Sequence, residues 1–180
     1  YQDMYIQNGQ PNNRLSRDGI LSVAVPGAVA GYLELQQRYG NLTPQQILGP
    51  AIKLAEDGFP ITSRYVNYVN RRLELLRQDS EMCRIFLVRS PKDQTCVAPP
   101  IGHLLKQPDL AKTLKAIANQ GTEAFYKGSI ANLLIKDMEN RSGLISRQDL
   151  NDYSIRIRSP LVGSYRGHAI VSSPPPSSGG

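Results

Sequence analysis

Residues 43–60, Thr-Pro-Gln-Gln-Ile-Leu-Gly-Pro-Ala-Ile-Lys-Leu-Ala-Glu-Asp-Gly-Phe-Pro, carry the clearest fold signal in the chain. Thr43 can cap a helix that starts at the following proline, and Gln46 stands where a capping box requires Glu or Gln. Apolar residues then recur at helical spacing, and Gly58 marks an end because glycine is favoured just past a helix. We predict an amphipathic helix here, kinked or divided by Pro50.

The residues before this helix predict another one. Residues 19–25 form an apolar run that we interpret as a short buried strand or an extended lead-in, broken by Pro26-Gly27. Apolar spacing from Ala28 onward indicates a helix, and Gly40 can adopt a left-handed conformation past its end. The Pro26-Gly27 start leaves unpaired backbone N–H groups that could bind an anion, but a structural role is favoured.

Downstream, the pattern stays helical until the C-terminal part of the chain. Ser146 with Asp149 three residues later predicts a short capped turn, and residues 80–101 indicate a strand or hairpin that ends at two prolines. Three more amphipathic helices are predicted, beginning after Ser63, at Pro108 and after Gly128.

The two ends of the chain differ from this helical middle. Residues 1–18 combine Asn-Gly and Pro-Asn-Asn turn sequences with few apolar residues, which is typical of a surface loop. Near the C-terminus, Ile155 and Ile157 form one β-prone run and residues 169–171 form another, with a Tyr-Arg-Gly sequence between them that favours a turn. We predict an α+β class: a single partial domain over residues 1–180, mainly helical, with a C-terminal β-hairpin.

Cys83 and Cys96 are the two cysteines of the chain. They flank a Ser-Pro-Lys-Asp turn sequence, and a disulfide would close a loop of about 14 residues and stabilise the fold by about 3 kcal/mol in an oxidising compartment. Two unrelated thiols are an equally open interpretation. Two cysteines alone cannot complete a structural zinc site, and neither histidine stands at ligand spacing from them, so we predict no metal.

Composition narrows the classes of function. The chain has 180 residues and a net charge of +6, but its basic residues are scattered and not interleaved with aromatic ones, so we predict no nucleic-acid binding. No apolar run approaches the roughly 20 residues that a bilayer span requires. The first residues do not have the pattern of a cleavable targeting segment.

Recognisable catalytic motifs are absent from the sequence. It has no Gly-x-Gly-x-x-Gly or Walker-type loop, and the serine within residues 163–167 stands in the wrong place for a nucleophile elbow. His103 follows a Pro-rich turn and His168 lies in the predicted hairpin, so we assign neither as a catalytic base. No two carboxylates are spaced in a way that singles them out as acid and base.

Four stretches stand in a characteristic order along the chain. They are VPGAVAG at residues 25–31 followed by RYG at 38–40, PAIKLAEDGF at 50–59, GTEAFYKG at 121–128, and residues 143–180, which end in Pro-Pro-Pro-Ser-Ser-Gly-Gly. In this order and spacing, over about residues 19–180, the chain resembles the heavy subunit of the γ-glutamyltranspeptidases. Residues 80–101 depart from the pattern of that family.

The resemblance implies an N-terminal nucleophile hydrolase with an αββα sandwich, formed when one precursor cuts itself into heavy and light subunits. It implies a threonine nucleophile at the new N-terminus of the light subunit, with its own amino group as base, and no metal or organic cofactor. The implied reaction is hydrolysis or transfer of γ-glutamyl groups from glutathione-like amides in a periplasmic or extracellular setting. The partners would be the light subunit, the substrate and an amino-acid or peptide acceptor.

The same resemblance places the nucleophile, the oxyanion donors and a carboxylate-binding arginine outside this chain. We therefore predict no catalytic and no substrate-binding residue in it, and no activity for it alone. Ser177 or Ser178 is predicted to cap a following helix rather than to act as a nucleophile. A cephalosporin acylase-like or capsule-processing relative, and a non-enzymatic helical interaction module, stay open as alternatives. We also expect uncovered apolar surface to promote self-association.

Overall fold

The computed structural model describes residues 3–177, which form a mainly helical fold with short antiparallel ladders. The helices are α1 (Ala28–Tyr39), α2 (Pro44–Asp57), α3 (Ser63–Arg77), α4 (Ser80–Phe86), α5 (Pro108–Gln120), α6 (Thr122–Tyr126), α7 (Ser129–Asn140) and α8 (Arg147–Asn151). The strands pair as β1 (Ile6–Gln7) with β2 (Gln10–Pro11), β3 (Phe59–Pro60) with β6 (Leu104–Leu105), β4 (Val88–Arg89) with β5 (Cys96–Val97), and β7 (Leu161–Tyr165) with β8 (His168–Ser172).

Helix α2 begins and ends as its sequence predicts. Thr43 Oγ1 accepts the Gln46 N–H at 3.3 Å, and the Thr43 N–H donates to Gln46 Oε1 at 2.8 Å, which completes a capping box. Gly58 follows the helix with φ +84°, a conformation that favours glycine. Pro50 lies inside a continuous helix, so the alternative of two divided helices was wrong.

Helices α2 and α5 form the most extensive helix pairing of the described residues. Their buried contact residues are mostly small: Ala55 on α2 and Ala111 and Ala118 on α5. Small side chains let two helix axes approach closely. The Gln107 N–H also donates to the Ala55 carbonyl at 2.8 Å, which fixes the start of α5 against the end of α2.

The main core lies among α6, α7, α8 and the residues between them. Ala131 and Leu150 are completely buried, and Ile20 and Val29 pack on this core from the N-terminal side. Its buried members are Tyr126, Ala131, Ile135, Met138, Ile145 and Leu150.

The predicted buried strand at residues 19–25 is not formed. Residues Ile20–Ser22 form a 3-10 helix, and Val23 is 44% exposed. The run has no ladder partner within residues 3–177, and Ile20 packs on the main core instead. The left-handed conformation expected at Gly40 was also wrong, because its φ of −87° is extended.

Residues 80–101 contain a helix that the strand or hairpin prediction missed. The Asp79 carboxylate accepts the N–H groups of Glu81 at 2.8 Å and Met82 at 3.1 Å, which starts α4. The predicted hairpin is present only after this helix, as β4 and β5.

The C-terminal hairpin is confirmed, with different limits from those predicted. Its ladder runs from Leu161 opposite Ser172 to Tyr165 opposite His168, so the β-prone run at residues 155–157 lies before it and outside any ladder. Positive φ values at both residues of the Arg166-Gly167 turn suit the twist of a two-residue hairpin.

Most of residues 3–18 are turns, with the short β1–β2 ladder between them, and the surface loop over residues 1–18 stays a prediction. The α+β class, mainly helical with a C-terminal hairpin, is therefore confirmed for the described residues. The proposed single partial domain over residues 1–180 stays a prediction. None of the helices within residues 3–177 has both the length and the apolar character of a bilayer span. A helix capped by Ser178 would lie outside the described residues.

Candidate functional site

Tyr126 joins the end of α6 to the start of α1. Its hydroxyl donates to the Pro26 carbonyl at 2.6 Å and accepts the Ala30 N–H at 3.3 Å. Gly27 at the N-cap has no capping side chain, so the tyrosine hydroxyl performs that task from another helix. The Ala30 N–H is thus already bound, which argues against the anion-binding alternative for this helix start.

Burial raises the pKa of the Tyr126 hydroxyl above its ordinary value. The phenol therefore stays protonated at neutral pH and can keep donating to the Pro26 carbonyl. The nearly parallel ring of Tyr153 stacks on Tyr126 with centroids 5.4 Å apart and an interplanar angle of 5°. The stacked pair holds α6 and the segment after α8 together beside α1.

This arrangement requires glycine at position 27, because the Tyr153 side chain lies too close to leave room for a β-carbon. A β-carbon added to Gly27 would lie 2.0 Å from the Tyr153 hydroxyl oxygen and 2.8 Å from its ring carbon Cζ. Gly27, Tyr126 and Tyr153 belong to three different stretches of the family-like sequence, and the fold brings all three together. The three stretches are visible in the sequence, but their contact is not. The hydrogen bond between Tyr126 and Pro26, for example, joins residues 100 positions apart.

A groove of about 480 Å³ runs beside the tyrosine pair, between α1, α6 and the segment after α8. The carboxylates that line it are already paired, Glu34 with Arg38 and Glu123 with Lys127. Because both carboxylates are paired, the groove offers a ligand no unpaired carboxylate, and we assign no ligand to it.

The two histidines lie in separate parts of the fold. His103 lies in the turn before β6, where its carbonyl accepts the Ile61 N–H at 3.0 Å. His168 is exposed and pairs across the ladder with Tyr165 at the tip of the C-terminal hairpin. Within residues 3–177, no group of three or more His, Cys, Asp and Glu side chains is arranged to hold a metal ion. The absence of a catalytic residue and of a cofactor stays a prediction.

Cys83 and Cys96 form a disulfide, which settles the alternative that the sequence left open. Their Cα atoms are 6.0 Å apart, and the bond joins α4 to strand β5. A second, smaller cluster surrounds it, and we call this cluster the disulfide core. Its buried members are Val69, Cys83, Leu87 and Cys96.

Ion pairs tie α4 to the rest of the chain. Arg141, just past α7, binds Asp79, and its Nε also donates to Asp137 at 2.9 Å. The hydrogen bond from Arg141 and those from the Met82 and Glu81 backbone N–H groups lower the pKa of Asp79. The Asp79 carboxylate thus caps α4 and anchors it to α7, a role that an Asp before Ser-Glu could have indicated in the sequence.

The C-terminal hairpin exposes apolar side chains on both of its faces. Val162 and Val171 form a cross-strand pair on one face and are 72% and 66% exposed. Leu161 and Ile170 lie on the other face and are 46% and 49% exposed. Strands that are apolar on both faces are typical of sheets covered on both sides, so this hairpin is the strongest candidate for a partner surface.

Comparison with known proteins gives matches over the whole chain. The family model described as "Gamma-glutamyltranspeptidase" matches residues 1–180. A glutathione hydrolase proenzyme from Pseudomonas sp. (strain A14) is 37% identical over 180 residues, which cover 99% of this chain and 30% of that protein. An acylase ACY 1 proenzyme from Pseudomonas sp. (strain V22) is 40% identical over 162 residues, which cover 90% of this chain and 28% of that protein.

The fold is similar to that of a solved structure as well. The crystal structure of Helicobacter pylori gamma-glutamyltranspeptidase superimposes with a TM-score of 0.91 and 38% sequence identity. The match covers 99% of this chain and 50% of that chain. This chain therefore spans about half of the solved chain and less than a third of the two curated relatives.

Proposed function

Because the chain belongs to the γ-glutamyltranspeptidase family, we propose that it is the heavy-subunit part of an enzyme that hydrolyses or transfers γ-glutamyl groups of glutathione-like amides. The predicted fold class, part of an N-terminal nucleophile hydrolase, is confirmed by the likeness to a solved member of the family. The match of the family model to residues 1–180 is the observation that carries the proposal.

The proposed reaction uses a threonine at the N-terminus of a light subunit cut from the same precursor. Its hydroxyl attacks the γ-glutamyl carbonyl, its amino group accepts the proton and returns it to the leaving amine, and an acyl-enzyme forms. Water or an acceptor amine then attacks the acyl group and restores the threonine. This chain supplies no reacting group in the proposal; its task is to hold the partner subunit in place.

The C-terminal hairpin is the proposed contact with the light subunit. The proenzyme names of the curated relatives support a precursor that is cut into two chains. The exposed apolar residues on both hairpin faces support burial between two layers, as in an αββα sandwich. Residues 153–160 before the hairpin have no regular secondary structure and lie outside any ladder of the described residues, so they leave this side of the hairpin without a paired strand.

A periplasmic or extracellular location is part of the proposal. The Cys83–Cys96 disulfide supports it, because disulfides form and persist in oxidising compartments and are rare in the cytosol.

The test uses the full-length precursor that contains this chain. We expect the purified precursor to appear as two chains and to release the chromogenic amine from a γ-glutamyl anilide, whereas the 180-residue chain alone releases none. The double substitution Val162→Lys with Val171→Lys should weaken association of the two chains in size-exclusion chromatography. Ile101→Lys with Leu133→Lys, which also adds two charges at exposed apolar positions outside the hairpin, is the control.

Turnover by the 180-residue chain alone would overturn the assignment of the reacting group to another chain. An uncut precursor without turnover would instead favour the non-enzymatic helical module. Two cut chains whose association survives both hairpin substitutions would refute the hairpin contact alone.

A second candidate is an acylase of the same family that removes the side chain of a cephalosporin-like amide. The likeness to the acylase ACY 1 proenzyme, at 40% identity over 162 residues, favours an acylase. The likeness to a cephalosporin acylase from Bacillus halodurans, at 30% identity with a TM-score of 0.76, favours the cephalosporin-like amide. Parallel assays of the same preparation with a γ-glutamyl anilide and with an acylated cephalosporin distinguish the two. Turnover of the second substrate without the first would replace the main proposal.

A further inference from the structure

The disulfide core is small, and half of its buried residues are the two bonded cysteines. We propose that the Cys83–Cys96 disulfide is a redox-sensitive staple: its reduction releases residues 80–98 and leaves the main core folded. This inference concerns a segment outside the proposed subunit contact and does not depend on the proposed function.

The elements that the bond joins are too short to persist by themselves. Helix α4 has 7 residues, and isolated helices shorter than about 12 residues are marginal in water. The β4–β5 ladder pairs only two residues from each strand, and a lone two-stranded hairpin is marginal at best. Their persistence therefore depends on what holds them to α3.

The non-covalent attachments of this segment are a small apolar contact with α3, through Leu73 and Leu76, and a few polar contacts. Arg77 Nε donates to the Cys96 carbonyl at 2.7 Å, and the Tyr65 hydroxyl donates to the Phe86 carbonyl at 3.1 Å. The ion pair between Arg84 and Asp109 is open to solvent, where such pairs contribute little. The pair between Asp79 and Arg141 is more sheltered, but it holds only the start of α4. Without the covalent bond, these contacts must offset the conformational entropy of the whole loop.

A cavity of about 450 Å³ lies beside Cys83, at one end of the bond, and is the route that we infer for a reductant once the segment opens locally. Cys83 lines this cavity and Cys96 does not. The charged groups on its wall are Glu81, Arg84 and Arg89, an excess of one positive charge, which favours the approach of an anionic thiolate.

The chemical step is thiol–disulfide exchange with a dithiol. The thiolate of the dithiol attacks Cys83 Sγ, which forms a mixed disulfide and expels the Cys96 thiolate. The second sulfur of the dithiol then displaces Cys83 and closes its own ring disulfide. Two electrons and two protons pass from the dithiol to Cys83 and Cys96, which end as thiols.

Hydrogen–deuterium exchange with mass spectrometry on the full-length protein tests the staple, before and after treatment with dithiothreitol under native conditions. Mass analysis after thiol alkylation verifies complete reduction. We expect the amides of Leu87 and Ser90, which donate to the Cys83 and Thr95 carbonyls, to exchange at least roughly tenfold faster after reduction. Peptides from α7 should change by less than about twofold. The double substitution Cys83→Ser with Cys96→Ser should reproduce this pattern without reductant.

If the double variant does not fold, hydrogen–deuterium exchange of the wild-type protein before and after reduction still tests the proposal. Unchanged exchange in residues 80–98 after verified reduction would overturn the proposal. Equal loss of protection in α7 would also overturn it, because the bond would then support the whole fold. A monothiol without a γ-glutamyl group, such as 2-mercaptoethanol, added in small amounts, should be found on Cys83; its recovery on Cys96 would refute the access route.

Discussion

The hydroxyl of Tyr126 donates to the carbonyl oxygen of Pro26 at 2.6 Å, across 100 positions of sequence. The Tyr126 hydroxyl oxygen also caps α1 by accepting the Ala30 N–H, so one atom of α6 binds two backbone groups at the start of α1. The start of α1 is therefore fixed by a residue that the local sequence does not contain.

Removal of this hydroxyl should destabilise the chain without disturbing the ring stack. We expect Tyr126→Phe to lower the free energy of unfolding by about 1–2 kcal/mol, because the Pro26 carbonyl and the Ala30 N–H lose their partner. Urea denaturation of both proteins measures the difference. Tyr32→Phe is the matched control, since Tyr32 is 72% exposed and its change should be within about 0.5 kcal/mol. Equal effects of the two substitutions would contradict the capping role.

Two glycines in the same region should respond to alanine in opposite directions. Gly27→Ala places a β-carbon against the Tyr153 ring and should cost about 1–3 kcal/mol. Gly31 lies inside α1, and a β-carbon added there would meet no neighbouring atom within 4 Å. Gly31→Ala should therefore stabilise the chain by about 0.5–1 kcal/mol, because alanine favours a helix over glycine. Thermal unfolding followed by circular dichroism gives both signs. A stabilising Gly27→Ala would show that Tyr153 does not press on this helix start.

The stability contributed by Asp79 should depend on pH. The pKa of Asp79 is lowered in the folded chain, chiefly by Arg141, so folding favours the charged form. Its contribution is therefore complete above the unfolded pKa of about 3.9 and is lost as the pH falls through the lower folded pKa. We expect Asp79→Asn, which keeps an N-cap, to cost about 0.5 kcal/mol at pH 7 and progressively less below pH 4.

Urea titrations across this pH range compare Asp79→Asn with the parent chain. Asp79→Ala, which also removes the cap, should cost about 1 kcal/mol at pH 7. Asp152→Asn, at an exposed carboxylate after α8, is the charge-matched control. A cost of Asp79→Asn that stays constant down to acid pH would rule out the ion pair as its source.

The isolated chain should self-associate through its hairpin. Exposed Val162 and Val171 form an apolar cross-strand pair at an open sheet, which is a template for pairing with another copy. We expect sedimentation velocity to show oligomers at high concentration and to show fewer of them for Val162→Lys with Val171→Lys. Ile101→Lys with Leu133→Lys should leave the distribution unchanged. A strictly monomeric chain at every concentration would refute this expectation.

Local signals predicted the helices well, because their causes lie within a few residues. The capping box of Thr43 and Gln46 and the similar pair of Ser146 and Asp149 are both present, since each needs only one turn of chain. Residues 19–25 were predicted as a buried strand or an extended lead-in. The strand failed because it requires a neighbour, and Ile20 packs on a helical core instead, while Val23 after the 3-10 helix is extended.

The candidate sites depended on relationships that sequence periodicity does not contain. The approach of Tyr153 to Gly27 and the bond between Cys83 and Cys96 join distant positions, and the sequence leaves the second of them open. The C-terminal hairpin could be predicted only in part. Its β-prone residues indicate strands, but the limits of those strands depend on the position of the Arg166-Gly167 turn.

The tip between β4 and β5 also has a practical value. Residues 90–95 are largely exposed, and the disulfide of Cys96 joins the strand that follows them to α4. Exposed loop tips tolerate inserted sequence well. An epitope or a fluorescent label grafted there would report on the protein while leaving the tyrosine stack and the hairpin untouched.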